Sequence, residues 1–196
     1  MKTRKKTLCK YFIALIVVKF CLFSPLIKAQ SVLGIYLSST DFTSNNLWFK
    51  KGVNKKCKIK MHNISFKLPI KITCGDSILE LSKDSVYGYK DAENSSYRFF
   101  NKKTYTIMNP GETILLYKLI SVVKTKYEEP TYSYYFSKDA SSLVLPLNLN
   151  NIENTFGSNK MFIDFLEVHF KNDNELLEYD SNHKIYKINR LLELSK

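Results

Sequence analysis

The chain has 196 residues and a formal net charge of +12, but seven of its 30 basic residues and none of its 18 acidic residues lie within residues 1–30. Without those residues the charge is +5, from 23 basic and 18 acidic side chains, which is ordinary for a soluble domain and does not indicate a nucleic-acid-binding protein. Residues 31–196 are enough for a single domain with a hydrophobic core.

Residues 1–30 have the pattern of a secretory signal peptide. A basic start precedes an apolar run from Tyr11 to Leu26, and a small residue, Ala29, stands just before Gln30. As a membrane span this run would be short and would bury Lys19, which costs about 2.5–3.5 kcal/mol at the centre of a bilayer. We therefore expect an exported protein that is periplasmic, outer-membrane-associated or secreted, and an uncleaved N-terminal anchor is the alternative.

The next segments predict a strand, a helical turn and a basic strand. "SVLGIYLSSTDFTSNN" predicts a strand through Tyr36, followed by a helical turn that begins at Ser39 or Thr40. In "KKGVNKKCKIK", Lys50 to Lys60, alternation places the lysines on one face of a strand. A solvated face that protects a sheet edge is favoured over contact with a polyanion or with anionic lipid, which would imply peripheral membrane association.

The segment "CKIKMHNISFKLPIKITC" predicts a hairpin. Aligning its two alternating apolar runs pairs residues whose numbers add up to 131. The predicted pairs are Met61 with Ile70, Ile59 with Ile72, and Cys57 with Cys74. Directly opposed β-carbons lie about 4.5–5.5 Å apart, which a disulfide can bridge with strand twist. In an oxidising compartment Cys57 and Cys74 are expected to form a disulfide, and two buried free thiols are the alternative.

The segment "KDSVYGYKDAENSSYRFF" follows a tight turn at 75–77 and a short strand at 78–81, and it predicts an aromatic hairpin. With its turn at 91–94, residues whose numbers add up to 186 face each other. Four aromatic residues would then share one face: Tyr87, Tyr89, Tyr97 and Phe99. Cross-strand aromatic pairs stabilise a sheet, which is enough to explain this composition. An exposed aromatic platform that binds a sugar ring or a peptide is the alternative.

A further hairpin is predicted in "TYTIMNPGETILLYK", with Pro110 and Gly111 at its turn. Proline fixes one backbone angle and glycine tolerates a positive φ, as turns require. The hairpin sets Ile107 near Ile114 and Tyr105 near Leu116. Residues 121–131 are expected to form a long surface loop, and 131–137 another strand.

From about Leu147 the pattern becomes helical. An apolar stripe with Ser158 as its cap predicts one helix, and its members are Phe162, Phe165, Leu166, His169 and Phe170. "NDNELLEYDSNHKIYKINRLLEL" predicts a second helix, which begins at Asn172 or Asp173. The apolar face of this second helix would comprise Leu177, Ile185, Ile188 and Leu192.

Candidate catalytic residues come from this C-terminal part. Asp180 and His183 stand one helical turn apart, as suits a histidine base oriented by a carboxylate or two metal ligands. Glu178 or His169 would complete such a group, although a histidine in an apolar stripe is more typical of a core or boundary position. His62 is expected to be solvated beside a turn. Neither GxSxG nor HExxH occurs, nor any CxxC pair, so we predict no cofactor and no metal.

Five segments occur in an order that resembles a group of uncharacterised short secreted proteins of Bacteroidota. They are "GIYLSSTDF", "KDSVYGYKD" with "YRFFN", "YTIMNPGETILLYK", "YYFSKDASS" with "LPLNLNNI", and "ELLEYDSNHKIYKINR". The resemblance implies export from a Gram-negative cell, to the periplasm or the neighbourhood of the outer membrane. It implies no activity and no site residues, and it implies that the N-glycosylation patterns at Asn63 and Asn94 are unused.

Together the patterns predict a signal peptide over 1–30 and a single α+β domain over 31–196, mainly β over 31–146 and mainly α over 147–196. We expect a mostly antiparallel sheet of about six strands, curled toward a sandwich or partial barrel, and two or three C-terminal helices. The favoured function is a non-enzymatic module that binds a protein or an envelope component through an open sheet edge or the tyrosine-bearing face. A small periplasmic hydrolase that uses Asp180 and His183 is one alternative. A carrier of a small apolar ligand is the other.

Overall fold

The fold is built on a seven-stranded antiparallel sheet. The computed structural model describes residues 32–50, 57–61, 66–121 and 129–196. The strands are β1 (Val32–Tyr36), β2 (Cys57–Lys60), β3 (Ile70–Cys74), β4 (Ser77–Leu81), β5 (Gly88–Asp91), β6 (Ser96–Phe100), β7 (Lys103–Ile107), β8 (Leu115–Ile120), β9 (Tyr132–Ser137), β10 (Leu145–Pro146), β11 (Tyr179–Asp180) and β12 (Ile185–Tyr186). The helices are α1 (Ser39–Thr43), α2 (Leu149–Phe156), α3 (Lys160–His169) and α4 (Lys187–Leu194), and 3₁₀ turns cover Lys83–Ser85 and Asp173–Leu177.

This architecture confirms the predicted α+β class. The large sheet has the order β1-β5-β6-β7-β8-β9-β10, a smaller sheet has the order β2-β3-β4, and β11 pairs with β12. From β5 to β9, strands that follow one another along the chain are also antiparallel neighbours in the large sheet. The sheet is open and does not close into a barrel.

Several predictions concern residues outside the described ranges. These are the signal segment at 1–30, His62, the glycosylation pattern at Asn63, the lysines at 51, 55 and 56, and residues 122–128 of the surface loop predicted at 121–131.

The described residues form three hydrophobic clusters, which pack the sheets and helices against one another. The helix-side cluster lies between the large sheet and the C-terminal helices, and it contains Ile114, Leu116, Phe136, Ile152, Phe156, Phe162, Leu166, Phe170, Leu176, Ile188, Leu191 and Leu192. The tyrosine cluster contains Tyr36, Phe42, Tyr87, Tyr105, Ile107, Leu115, Tyr117, Ala140 and Val144. The small-sheet cluster contains Val32, Ile35, Ile70, Ile72, Val86, Tyr89 and Phe99. Because side chains alternate along a strand, β8 contributes Leu116 to the first cluster and Tyr117 to the second.

Two of the predicted registers are confirmed. In the first hairpin Cys57 pairs with Cys74 and Ile59 with Ile72, and the two sulfurs are bonded. In the aromatic hairpin Tyr89 pairs with Tyr97. In both hairpins apolar residues alternate along each strand, and only one register places the apolar residues of the two strands opposite each other. The alternation was therefore enough to predict the pairing.

The register predicted for the β7–β8 hairpin is wrong. Ile107 pairs with Tyr117 and not with Ile114, a difference of three residues. The connection is longer than a tight turn because the side chain of Asn109 replaces part of the backbone ladder. Its amide donates to the Ile114 carbonyl at 2.8 Å, and its oxygen accepts from the Leu116 amide at 2.7 Å.

The C-terminal helices also begin elsewhere than predicted. Asn159, and not Ser158, caps α3. The predicted second helix is interrupted: Asn172 caps a 3₁₀ turn, β11 and β12 follow, and only Lys187–Leu194 is α-helical. The break comes from "DSNH", since short polar side chains bond to nearby backbone amides and compete with helix formation. Lys184, which follows, has a φ of 56°.

Candidate functional site

The four aromatic residues of the hairpin form core contacts and do not share one face. Tyr89 and Tyr97 stack with ring centroids 4.5 Å apart, and Tyr89 and Phe99 belong to the small-sheet cluster. Tyr87 lies in the tyrosine cluster instead, where its ring stacks on Phe42 of α1 at 5.1 Å. The prediction of a shared face is therefore wrong for Tyr87.

Burial also excludes an exposed platform made of all four rings, since three of them are buried and Tyr97 is partly buried. Tyr87, Tyr89 and Phe99 are 9%, 2% and 7% exposed, because the small sheet covers one side of the hairpin and α1 covers Tyr87. Burial raises the pKa of the Tyr87 and Tyr89 hydroxyls, so both stay neutral. These rings stabilise the fold and are not available to a sugar or a peptide.

Asp180 and His183 are in contact, on a turn and not on a helix. The His183 ring nitrogen Nδ1 lies 2.6 Å from Asp180 Oδ2. The other carboxylate oxygen accepts from the backbone amides of Asn182 and His183, at 3.0 and 3.1 Å. The His183 amide is the main reason that the pKa of Asp180 is lowered. The side chain of His183 is 52% exposed, so this arrangement closes an exposed turn between β11 and β12.

The structure does not bring the other proposed catalytic residues into this pair. Glu178 accepts from the Lys187 ammonium at 2.7 Å, and the same ammonium donates to the His169 carbonyl at 3.3 Å. The His169 ring packs edge-on against Phe165 at the end of α3. Within the described ranges no hydrogen bond joins either residue to Asp180 or His183, and no group of three or more potential metal ligands occurs.

Sequence reasoning missed a buried guanidinium. Arg98 is 5% exposed, and it donates to the Tyr117 hydroxyl at 2.7 Å, the Ser137 hydroxyl at 3.3 Å and the Ser142 carbonyl at 2.8 Å. Its charge lies 5.0 to 5.7 Å from the ring centroids of Tyr87, Phe100 and Tyr117. No acidic side chain of the described chain forms an ion pair with it. Aromatic faces and neutral oxygens therefore stabilise this cation.

Arg98 has a structural role, because its bonds join three separate parts of the tyrosine cluster. They connect β6 to β8, to the end of β9 and to the 138–142 segment. The alternation of "YRFF" places Arg98 on the strand face opposite its neighbours. This alternation was the one signal in the sequence, but no pattern in the neighbouring residues indicated that the face bearing Arg98 is buried.

The surface best suited to a partner is the outer edge of β4. β4 is the last strand of the small sheet, and no other strand in the described ranges pairs with its free side. Residues 77–80 are all exposed, and Ile78 and Leu79 are 58% and 44% exposed. An exposed strand edge with apolar side chains is a template for pairing with another extended chain.

The small sheet is also basic and cross-linked. The described parts of 57–81 carry two acidic residues, Asp76 and Glu80, against four lysines at 58, 60, 67 and 71. Lys71 lies 4.0 Å from Glu80. The Cys57–Cys74 disulfide joins β2 to β3 directly before the turn at Gly75, whose φ is 58°. β4 is therefore presented by a cross-linked ribbon with a positive surface.

Among the helices of the described ranges none is both long and apolar enough to cross a membrane. A scan against models of protein families, a search of curated proteins and a search of solved structures each found no match to this chain.

Proposed function

We propose that the protein is a non-enzymatic, exported binding module that captures an extended segment of a partner protein along the outer edge of β4. The single observation that carries the proposal is the edge of β4, which is exposed over residues 77–80 and carries two adjacent apolar side chains, Ile78 and Leu79. Strand addition supplies main-chain hydrogen bonds for affinity, while side chains on alternate positions supply specificity.

The positive charge of the small sheet indicates the charge of the partner segment. Four lysines outnumber two acidic residues in the described parts of this sheet, so a net-acidic segment with apolar side chains fits the surface. Complementary charge raises the association rate at low salt more than it raises affinity. We therefore expect the association rate to fall as the ionic strength rises.

Two features of the chain support the proposal that the module is exported. A basic start, an apolar run and Ala29 make up the pattern of a signal peptide. A disulfide between Cys57 and Cys74 is stable in an oxidising compartment. We propose that the module acts in the cell envelope or outside the cell.

The test is crosslinking and mass spectrometry of the tagged protein in the organism that encodes it. Three forms are compared: wild type, the double variant Ile78→Lys with Leu79→Lys, and the control Val168→Lys. Val168 is an exposed apolar residue on α3, far along the chain from β4. Charged residues on an edge strand oppose pairing. We expect wild type and the control to crosslink a stoichiometric partner from Lys67 or Lys71, and the double variant to lose it.

Three outcomes would contradict the proposal. The first is a partner that the β4 variant retains in full. The second is self-crosslinking alone, which would make β4 a contact between two copies. The third is binding only to vesicles that contain anionic lipid, which would assign the lysines to a membrane surface.

A further inference from the structure

A second feature of the molecule is a cavity of about 450 Å³ at the margin of the tyrosine cluster. Its apolar wall comprises Tyr36, Phe42, Leu115 and Ala140, all of which are buried in the fold. Pockets that bind small molecules commonly have volumes of about 300–1,000 Å³, mostly apolar walls and a few convergent polar groups. The cavity has that size and that kind of lining.

Three charged residues from different elements line the same cavity. Lys90 comes from β5, Glu112 from the β7–β8 loop and Asp139 from the segment after β9. Lys90 pairs across the sheet with Ser96, which also lines the cavity. No ion pair within the described part of the chain occupies Lys90. Its ammonium is therefore available to an anionic group of a ligand.

The carboxylates of Glu112 and Asp139 differ in the hydrogen bonds that they accept within the protein. One oxygen of Glu112 accepts from the Asn109 amide at 3.0 Å and from the Tyr186 backbone amide at 3.3 Å. Burial raises the pKa of Glu112. Asp139 uses one oxygen, Oδ1, for the amides of Ser141 and Ser142 and for the Ser141 hydroxyl, and these bonds lower its pKa. The other Asp139 oxygen, Oδ2, takes no part in these bonds and can accept from a ligand.

We infer that this cavity binds a free α-amino acid with an apolar side chain. The ligand's carboxylate pairs with Lys90, its ammonium pairs with Asp139, and its side chain packs on Phe42, Leu115 and Ala140. Each pairing leaves a charged group unsatisfied if the ligand lacks its counterpart, and an unsatisfied charge in a partly buried site is costly. The site should therefore require both charges of the zwitterion.

The experiment is calorimetric titration of the full chain with L-phenylalanine, phenethylamine and 3-phenylpropionate. The second compound lacks the carboxylate and the third lacks the ammonium. We expect L-phenylalanine to bind at least tenfold more tightly than either analogue, where tenfold corresponds to about 1.4 kcal/mol. Equal affinity for all three compounds, or no saturable binding of L-phenylalanine up to about 10 mM, would overturn the inference.

Substitutions of Lys90 and Asp139 test which side chain pairs with each charged group of the ligand. Lys90→Gln should weaken L-phenylalanine binding about tenfold without weakening phenethylamine binding, and Asp139→Asn should weaken L-phenylalanine binding without weakening 3-phenylpropionate binding. Asparagine keeps the oxygen that Ser141 and Ser142 bind, which preserves the turn. Thr113→Trp, on the exposed rim, should block binding by filling the cavity.

Two controls separate this site from other surfaces. Lys118→Gln removes a lysine that does not line the cavity, and the double variant Ile78→Lys with Leu79→Lys alters only the β4 edge. Both should bind L-phenylalanine as wild type does. Loss of binding in either control, with the cavity variants unaffected, would place the ligand elsewhere and refute the assignment.

Discussion

Two buried asparagines hold the β7–β8 loop where the backbone ladder stops. The amide of Ile114 donates to the Asn189 side chain at 2.7 Å, and the Ile114 carbonyl accepts from Asn189 at 2.9 Å and Asn109 at 2.8 Å. Asn189 is 1% exposed and lies on α4. Since Asn189 and Ile114 are 75 residues apart, these bonds fasten the last helix to the sheet.

Replacing Asn189 with alanine is therefore expected to destabilise the protein by about 1–3 kcal/mol, because the Ile114 amide would remain buried without a partner. Urea unfolding measures the change. Asn154→Ala serves as the control, since Asn154 is an exposed residue on α2. If the two variants unfolded with equal free energies, the hydrogen bonds between Asn189 and Ile114 would contribute no measurable stability.

Asp139 gives the fold an acid-dependent element. Its pKa is lowered, chiefly by the hydroxyl of Ser141, so the folded state binds the proton less readily than the unfolded state. The stabilisation is therefore complete above the ordinary Asp pKa, about 3.9, and is lost as the pH falls through the lowered folded value. Asp139→Asn should lose less stability between about pH 5 and pH 2 than wild type does.

Urea unfolding at a series of pH values measures this difference. The pKa of Asp180 is also lowered, so the stability of the variant should still fall somewhat with decreasing pH. Asn154→Ala on α2, which removes no titratable group, is the control and should retain the wild-type dependence of stability on pH. A slope in Asp139→Asn equal to that of wild type would show that the Ser141 and Ser142 bonds do not persist in solution.

At the scale of elements, the disulfide is the clearest case for a stability test. It closes a loop with a sequence separation of 17 between Cys57 and Cys74. Cross-linking a loop of about this length stabilises a folded state by about 3 kcal/mol through its effect on the unfolded chain. Replacing both cysteines with serine should lower the free energy of unfolding by about that amount, and reductant should do the same to wild type. Wild type and the double variant unfolding at the same urea concentration would contradict this.

The β11–β12 ribbon leads to a different expectation for His183. Because Asp180 and His183 close an exposed turn, His183→Ala should leave the fold intact, with an unchanged urea midpoint. A screen of ester, peptide and glycan hydrolysis should detect no turnover by either protein. Hydrolysis by wild type that disappears in His183→Ala would instead establish the hydrolase alternative.

Elements differed in how far the sequence could predict them. The Cys57–Cys74 and Tyr89–Tyr97 pairs followed from alternation over a few residues, since a register shift of one would expose every apolar side chain. The β7–β8 register did not, because the Asn109 side chain substitutes for the ladder. The helix predicted across Asp180 failed because its carboxylate bonds to the following amides and forms a turn.

At the scale of the whole molecule, the large sheet is covered on both faces near β8. Leu116 packs in the helix-side cluster, while Leu115 and Tyr117 pack in the tyrosine cluster. Residues in such central strands exchange their amides only on global unfolding, whereas poorly covered edges open locally. Hydrogen exchange should therefore be slowest in β8 and much faster in β4. Comparable protection of the two strands, measured by mass spectrometry, would mean that the β4 edge is covered in solution.

The sequence by itself determined the class of the fold, the two best-defined hairpins, the disulfide and the position of the helical C-terminal part. Each of these depends on contacts between residues close in the chain or on a repeating pattern, which can be read without knowing the tertiary partner. Only the tertiary structure decided that Tyr89 and Phe99 are covered by the small sheet, that Tyr87 lies on the other side, and that Arg98 is buried among rings. It also brought Lys90, Glu112 and Asp139 to one cavity. Those outcomes depend on which distant surfaces pack together, and no local pattern encodes that choice.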